Sequence, residues 1–196
     1  MKSAIGIVHT SFIVAAGLRQ VLQPLFEQTE ILIYNYLTEL QNDIERNDGN
    51  RPYFVHFFVD EHILMTQADY FLNLPQLTIA LSSNASITGS PFPVFNIQLP
   101  EEQIYRQILR MHRLTGVATA PPADNTLSQR ETQVLCLIAK GLPNKLIADQ
   151  LSISIPTVVS HRQNITRKLG IHSIAALTVY AIMKGYIDHT DIVDLK

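Results

Sequence analysis

Residues 127–182 read LSQRETQVLCLIAKGLPNKLIADQLSISIPTVVSHRQNITRKLGIHSIAALTVYAI, and the start and stop signals in this stretch decide the fold of the C-terminal third. Ser128 and Glu131 stand three apart before an apolar run. That is the spacing of a capping box, in which the hydroxyl accepts from the Glu131 N–H and the carboxylate accepts from the Ser128 N–H. The helix they open carries Val134, Leu135, Ile138 and Ala139 at helical spacing and stops at Gly141, a residue suited to the left-handed conformation past a helix end. Asn144 to Leu151 predicts a second, short helix. Ser152-Ile153-Ser154 is then a tight turn, with Ser154 as the N-cap of a third helix and Pro156 in its first turn. Three helices with a tight turn before the third make a helix-turn-helix.

A helical wheel of residues 156–169 divides the third helix in two. Val158, Ile165 and Leu169 fall together and are expected to pack inward; Val159, Ser160, Gln163, Asn164 and Arg167 fall on the other side. Such a helix fits the major groove of double-stranded DNA. There Gln163 and Asn164 have the donors and acceptors to pair with base edges, Val159 can touch a thymine methyl, and Arg167 can bind guanine or phosphate. Asn144, Lys145, Thr157, His161, Arg162 and Lys168 are placed for phosphate, which fixes register without reading sequence. Taken singly, scattered Lys and Arg on apolar helices mark a solvated bundle. The complete set of spaced signals in one segment favours the DNA reading. No Cys/His spacing makes a zinc site, so His161 and His172 are read as structural or phosphate-facing.

Over residues 127–187 the chain resembles the LuxR/FixJ-type C-terminal domain of response regulators. The matching positions include Glu131, Val134-Leu135, Gly141, Asn144, Ile147-Ala148, Leu151, Thr157-Val158, His161, Asn164-Ile165 and Lys168-Leu169-Gly170. The resemblance implies a DNA-binding transcription regulator and a fourth helix, Ser173 to Lys184, used for contacts in a homodimer. One position departs from it: many members carry a Lys after the Thr-Val pair, and this chain has Val159. That bears on target preference.

Charge outside this segment has the opposite sign. Residues 1–123 hold seven Lys and Arg against eleven Asp and Glu, whereas residues 128–170 hold six basic residues and two acidic ones. The formal net charge of −2 therefore hides a local basic patch. With 46% apolar residues the chain can bury substantial cores. Cys136 sits in an apolar run and reads as a small buried hydrophobe, so no disulfide framework is expected. No apolar stretch approaches the roughly 20 residues of a membrane helix, and the start shows no cleavage pattern, so a cytoplasmic protein without membrane contact is expected.

Upstream, strands and helices alternate. Strands are expected at 3–8, 31–36, 53–59, 76–81 and 93–97, and helices at 12–26, 38–46, 61–72 and 100–114, with a turn at 47–50. This is an α/β domain with a parallel five-stranded sheet. Ser82 to Phe92 is too short and broken for a crossover helix. Residues 115–126, TGVATAPPADNT, have linker composition. The expected organisation is an α/β domain over 1–114, a linker over 115–126 and an all-α domain over 127–196. Ile104, Ile108 and Met111 form an apolar stripe on the last upstream helix, either core or interface.

Residues 1–114 resemble a response-regulator receiver, with Ile5 to Leu22 as its first strand and helix. The resemblance then asks for an acidic pair after the first strand to hold Mg²⁺, an Asp phosphoacceptor after the third, a Ser or Thr after the fourth and a Lys after the fifth. The chain has His9 and Thr10 where the acidic pair belongs. Asp60 is a phosphoacceptor only if the register slips, with Phe58 standing at the position otherwise. Ser82 or Ser83 can supply the hydroxyl, but no Lys lies between Lys2 and Lys140. The expectation is an atypical receiver that works without Asp phosphorylation, with Asp60 as a solvated helix cap. Its shape would then serve dimerisation, or a small ligand or partner protein would gate DNA binding. His9, Thr10, His56 and His62 near the strand ends can line a pocket, and ordinary polar loop residues explain them equally well. Phosphorylation at Asp60 is the conventional alternative. No nucleophile–base pair, phosphate-binding glycine loop or metal motif points to an enzyme, and no cofactor is implied.

Overall fold

The computed structural model describes residues 3–45, 52–84, 90–114 and 127–188. The expected turn at 47–50 and linker at 115–126 lie outside the described residues. The chain separates into two compact units, Met1–Pro100 and Glu101–Lys196.

The first unit is built on five parallel strands: β1 (Ser3–Val8), β2 (Thr29–Tyr34), β3 (Tyr53–Asp60), β4 (Leu77–Ser82) and β5 (Val94–Asn96), in the order β2-β1-β3-β4-β5. Helices α1 (Phe12–Leu22), α2 (Leu37–Glu45) and α3 (Glu61–Leu72) make the connections. Ala4, Ile5, Ile7 and Val8 are all buried, because a strand with helices over both faces must be apolar on both. Gly6 is required for close packing: a Cβ there would stand 2.8 Å from Phe57 Cδ1. On one face Ala4, Val8, Leu40, Phe57, Leu64 and Phe71 join a single core. The strand order turns back between β1 and β3, which makes their carboxyl ends the switch point of the sheet.

Two element ends differ from expectation for local reasons. Helix α1 stops at Leu22 rather than 26, because Pro24 has no N–H to continue the ladder; Leu25 and Phe26 instead donate to the Leu22 carbonyl. Strand β2 ends at Tyr34 rather than 36, since Glu39 Oε2 accepts from the Asn35 and Tyr36 N–H groups and draws both into the start of α2. No helix stands between β4 and β5 among the described residues.

The second unit contains α4 (Glu101–Leu114), α5 (Gln129–Ala139), α6 (Asn144–Leu151), α7 (Ile155–Leu169) and α8 (Ile174–Met183). Helix α8 packs against both α5 and α4. It is the most apolar of these helices, and Ala176, Leu177, Val179, Tyr180, Ala181 and Met183 are buried. Of the α4 stripe, Ile108 and Met111 are buried and Ile104 is half-buried. No helix among the described residues is long and apolar enough to cross a membrane.

Candidate nucleic-acid interface

The expected capping box opens α5. Ser128 Oγ accepts from the Glu131 N–H at 3.3 Å, and Glu131 Oε2 accepts from the Ser128 N–H at 2.7 Å. Helix α5 then ends at Lys140, with Gly141 left-handed at φ 79°. Helix α6 closes on Ser152, whose φ of 53° makes it the one non-glycine residue with positive φ among the described residues. This strained position shapes the turn; the Ile153 N–H donates back to the Ala148 carbonyl at 3.0 Å. Ser154 then caps α7, its Oγ accepting from the Thr157 N–H at 3.2 Å, with Pro156 in the first turn. The turn, the cap and the proline together fix how α7 leaves α6.

The inward set is buried as expected: Val158 and Ile165 at 0% exposure and Leu169 at 7%. Val159, Ser160, Gln163 and Arg167 are exposed on the other side, and Asn164 is half-buried. Helices α6 and α7 border an open hollow of about 640 Å³ lined by Asn144, Val159, Arg162, Gln163 and Arg167, by His172, read from the sequence as structural or phosphate-facing, and by Thr166 and Gly170, to which sequence reasoning gave no DNA-contacting role. Thr166 shares the face of Val159 and Gln163 by helical spacing, a signal that was available. His172 lies beyond the helix end, where no periodicity points to it.

Hydrogen bonds preset several of these side chains. Arg162 Nη1 donates to Asn144 Oδ1 at 3.1 Å, which holds a guanidinium from α7 over the start of α6. Arg167 Nη2 donates to Asn164 Oδ1 at 3.0 Å, leaving the Asn164 amide nitrogen for other acceptors. The Ser160 hydroxyl donates to the Pro156 carbonyl at 3.0 Å. Lys145 is exposed in the first turn of α6, and His161 is half-buried. Lys168 is engaged elsewhere than expected: its Nζ lies 2.7 Å from Glu131 Oε2, so it joins α7 to α5. Burial pushes the Glu131 carboxyl up, but the bond from Lys168 and those from the Ser128 backbone and hydroxyl outweigh it and hold the group down at about 2.

In the first unit, Asp60 is a helix cap, as expected, with Oδ1 accepting from the His62 N–H at 3.0 Å. It is buried at 6% exposure rather than solvated. Its Oδ2 faces Thr10 Oγ1 at 3.4 Å and His9 Nε2 at 3.7 Å, while His9 Nδ1 accepts from the Ser11 N–H at 2.9 Å. A hard cation of the receiver kind needs several oxygen ligands in a tight shell. One carboxylate already in use as a cap, beside an imidazole and a hydroxyl, does not fit Mg²⁺. Phe58 is packed edge-on against Phe95 with ring centroids 5.8 Å apart. Thr10, Asp60 and His62 come together in one cleft, whereas His56 pairs with Leu77 four residues before the strand end and takes no part in it.

Residues 125–181 match the family described as GerE, bacterial regulatory proteins of the luxR family. The oxygen regulatory protein NreC of Staphylococcus aureus strains JH9 and USA300 is 45% identical over 129 residues, covering 65% of this chain and 58% of NreC. The chain thus matches less than two thirds of the length of these relatives. Among solved structures, RcsB from Salmonella enterica serovar Typhimurium bound to promoter rprA in the presence of BeF3⁻ aligns with a TM-score of 0.43 at 19% identity, over 91% of this chain and 98% of that one. FixJ from B. japonicum aligns with a TM-score of 0.40 at 17% identity, over 96% and 100%.

Proposed function

We propose, from the luxR-family domain that residues 125–181 form, that this protein is a sequence-specific, double-stranded-DNA-binding transcription regulator of the cytoplasm. It acts as a homodimer and independently of Asp phosphorylation. The observation that carries the reading is the exposed face of α7, with Val159, Gln163 and Arg167 beside an Arg162 guanidinium already held by Asn144. Preset side chains lose less freedom on binding. Gln163 and Asn164 serve base edges and Val159 a thymine methyl, while Lys145, Thr157, Ser160, His161 and Arg162 serve the backbone. Lys168 contributes through the Glu131 contact, as a support for α7.

Independence from phosphorylation rests on the cap role of Asp60 and on a neighbourhood that does not fit Mg²⁺. The homodimer reading has Ile174 to draw on, which is 55% exposed at the start of α8; a protomer pair would place two α7 helices on successive major-groove faces. Selection of random duplexes by the untreated protein tests the proposal. Enrichment of a palindromic sequence supports it, and failure to enrich any sequence at low salt speaks against it. A ligand that gates DNA binding is the second reading, favoured by the cleft around Asp60.

A further inference from the structure

The carboxyl ends of β1 to β3 frame a cleft of about 460 Å³ in the first unit, with Thr10, Tyr36, Gln41, Asp60, Thr66 and Gln67 in its lining. We propose that this cleft binds a small organic cation, an aliphatic amine, through the Asp60 carboxylate and the Tyr36 ring. The inference deepens the ligand-gated reading by giving the ligand a chemical class. Its position is the switch point of the sheet, where open α/β folds take ligands, and its size lies in the range of roughly 300–1,000 Å³ typical of small-molecule sites.

Charge decides the class. Among the described residues no Lys or Arg lines the cleft. Residues 1–100 hold four Lys and Arg against nine Asp and Glu. Besides Tyr36, the titratable side chains of the lining are Asp60 and His62, with the His9 imidazole 3.7 Å from Asp60 Oδ2. An entering anion meets the Asp60 carboxylate with no permanent countercharge, whereas an ammonium group gains from that carboxylate and from the field of the whole unit. Asp60 is buried within the lining, so a charge-assisted bond to it is weakly screened. Tyr36 is 67% exposed and offers a ring face to a cation. Gln41 and Thr66 add neutral oxygen acceptors for further N–H groups. Helix α3 also leaves helical geometry at Gln67, with φ −130° and ψ 26°, although it contains no Pro or Gly. This irregularity falls where α3 borders the cleft, and irregular backbone gathers at binding sites.

Calorimetric titration of the full chain without DNA tests this independently of the DNA-binding reading, using putrescine, butane-1,4-diol of equal length, and inorganic phosphate. Putrescine is expected to bind about tenfold or more tightly than the diol, and phosphate not at all. Asp60→Asn, which keeps the cap because Asn caps as well as Asp, and Tyr36→Ala are each expected to weaken putrescine about fivefold or more. Glu30→Gln, at an exposed carboxylate outside the cleft, leaves binding unchanged. Equal binding of diamine and diol overturns the proposal, as does an equal loss in Glu30→Gln. Absence of putrescine binding at millimolar concentration overturns it too.

Discussion

Lys168 Nζ and Glu131 Oε2 lie 2.7 Å apart and tie the last turn of α7 to the first turn of α5 across 37 residues of chain. The same carboxylate closes the α5 capping box, so one buried group fixes a helix start and a helix–helix contact together. Its folded-state value of about 2 is below the ordinary 4.5. A lowered carboxyl stabilises the fold above its unfolded value, and that contribution is lost as pH falls through 4.5 toward 2. Thermal unfolding followed from pH 6 downward is expected to show this loss. In Glu131→Gln the loss below pH 5 shrinks and stability at pH 7 falls by on the order of 2–3 kcal/mol.

The Arg162–Asn144 bond predicts coupling in DNA affinity. Arg162→Ala and Asn144→Ala are each expected to weaken binding by about 1 kcal/mol, with the double variant losing clearly less than the sum, because both remove one positioned guanidinium. Equilibrium binding to a selected duplex measures the cycle; strict additivity means that Asn144 acts on DNA by itself.

Asp60 as a buried cap predicts that acetyl phosphate with Mg²⁺ leaves the protein unlabelled, as read by intact mass. Asp60→Asn is expected to bind DNA within about twofold of the wild type, since Asn serves the same cap. Replacement by Leu removes the cap and leaves the His62 N–H without its partner, with an expected cost of about 1–2 kcal/mol in thermal stability.

Much of this was legible in the sequence because it is local. Ser128, Ser154 and Gly141 act on neighbours within four residues, and the Val158, Ile165 and Leu169 stripe obeys one helix period. The stop at Pro24 was equally local, but apolar spacing through Phe26 masked it. What stayed hidden is tertiary. Lys168 reads as one more surface cation until α5 is folded against α7, and nothing in spacing tells that Asn144 meets Arg162. Asp60 was recognised as a cap, but its burial depends on His9 and Thr10 arriving from the loop after β1. His172 joins the hollow only because the chain turns at Gly170.

The most direct test of the DNA-reading face is the affinity of the untreated protein for its selected duplex across a salt series from about 50 to about 300 mM, with Arg162→Ala and Gln163→Ala beside the wild type. Log affinity is expected to fall linearly with log salt. Arg162→Ala should reduce the slope by about one, and Gln163→Ala should cost about 1–3 kcal/mol and relax the preference at one base pair. Affinity that ignores salt, or that neither substitution changes, would contradict the assignment of this face of α7 to DNA.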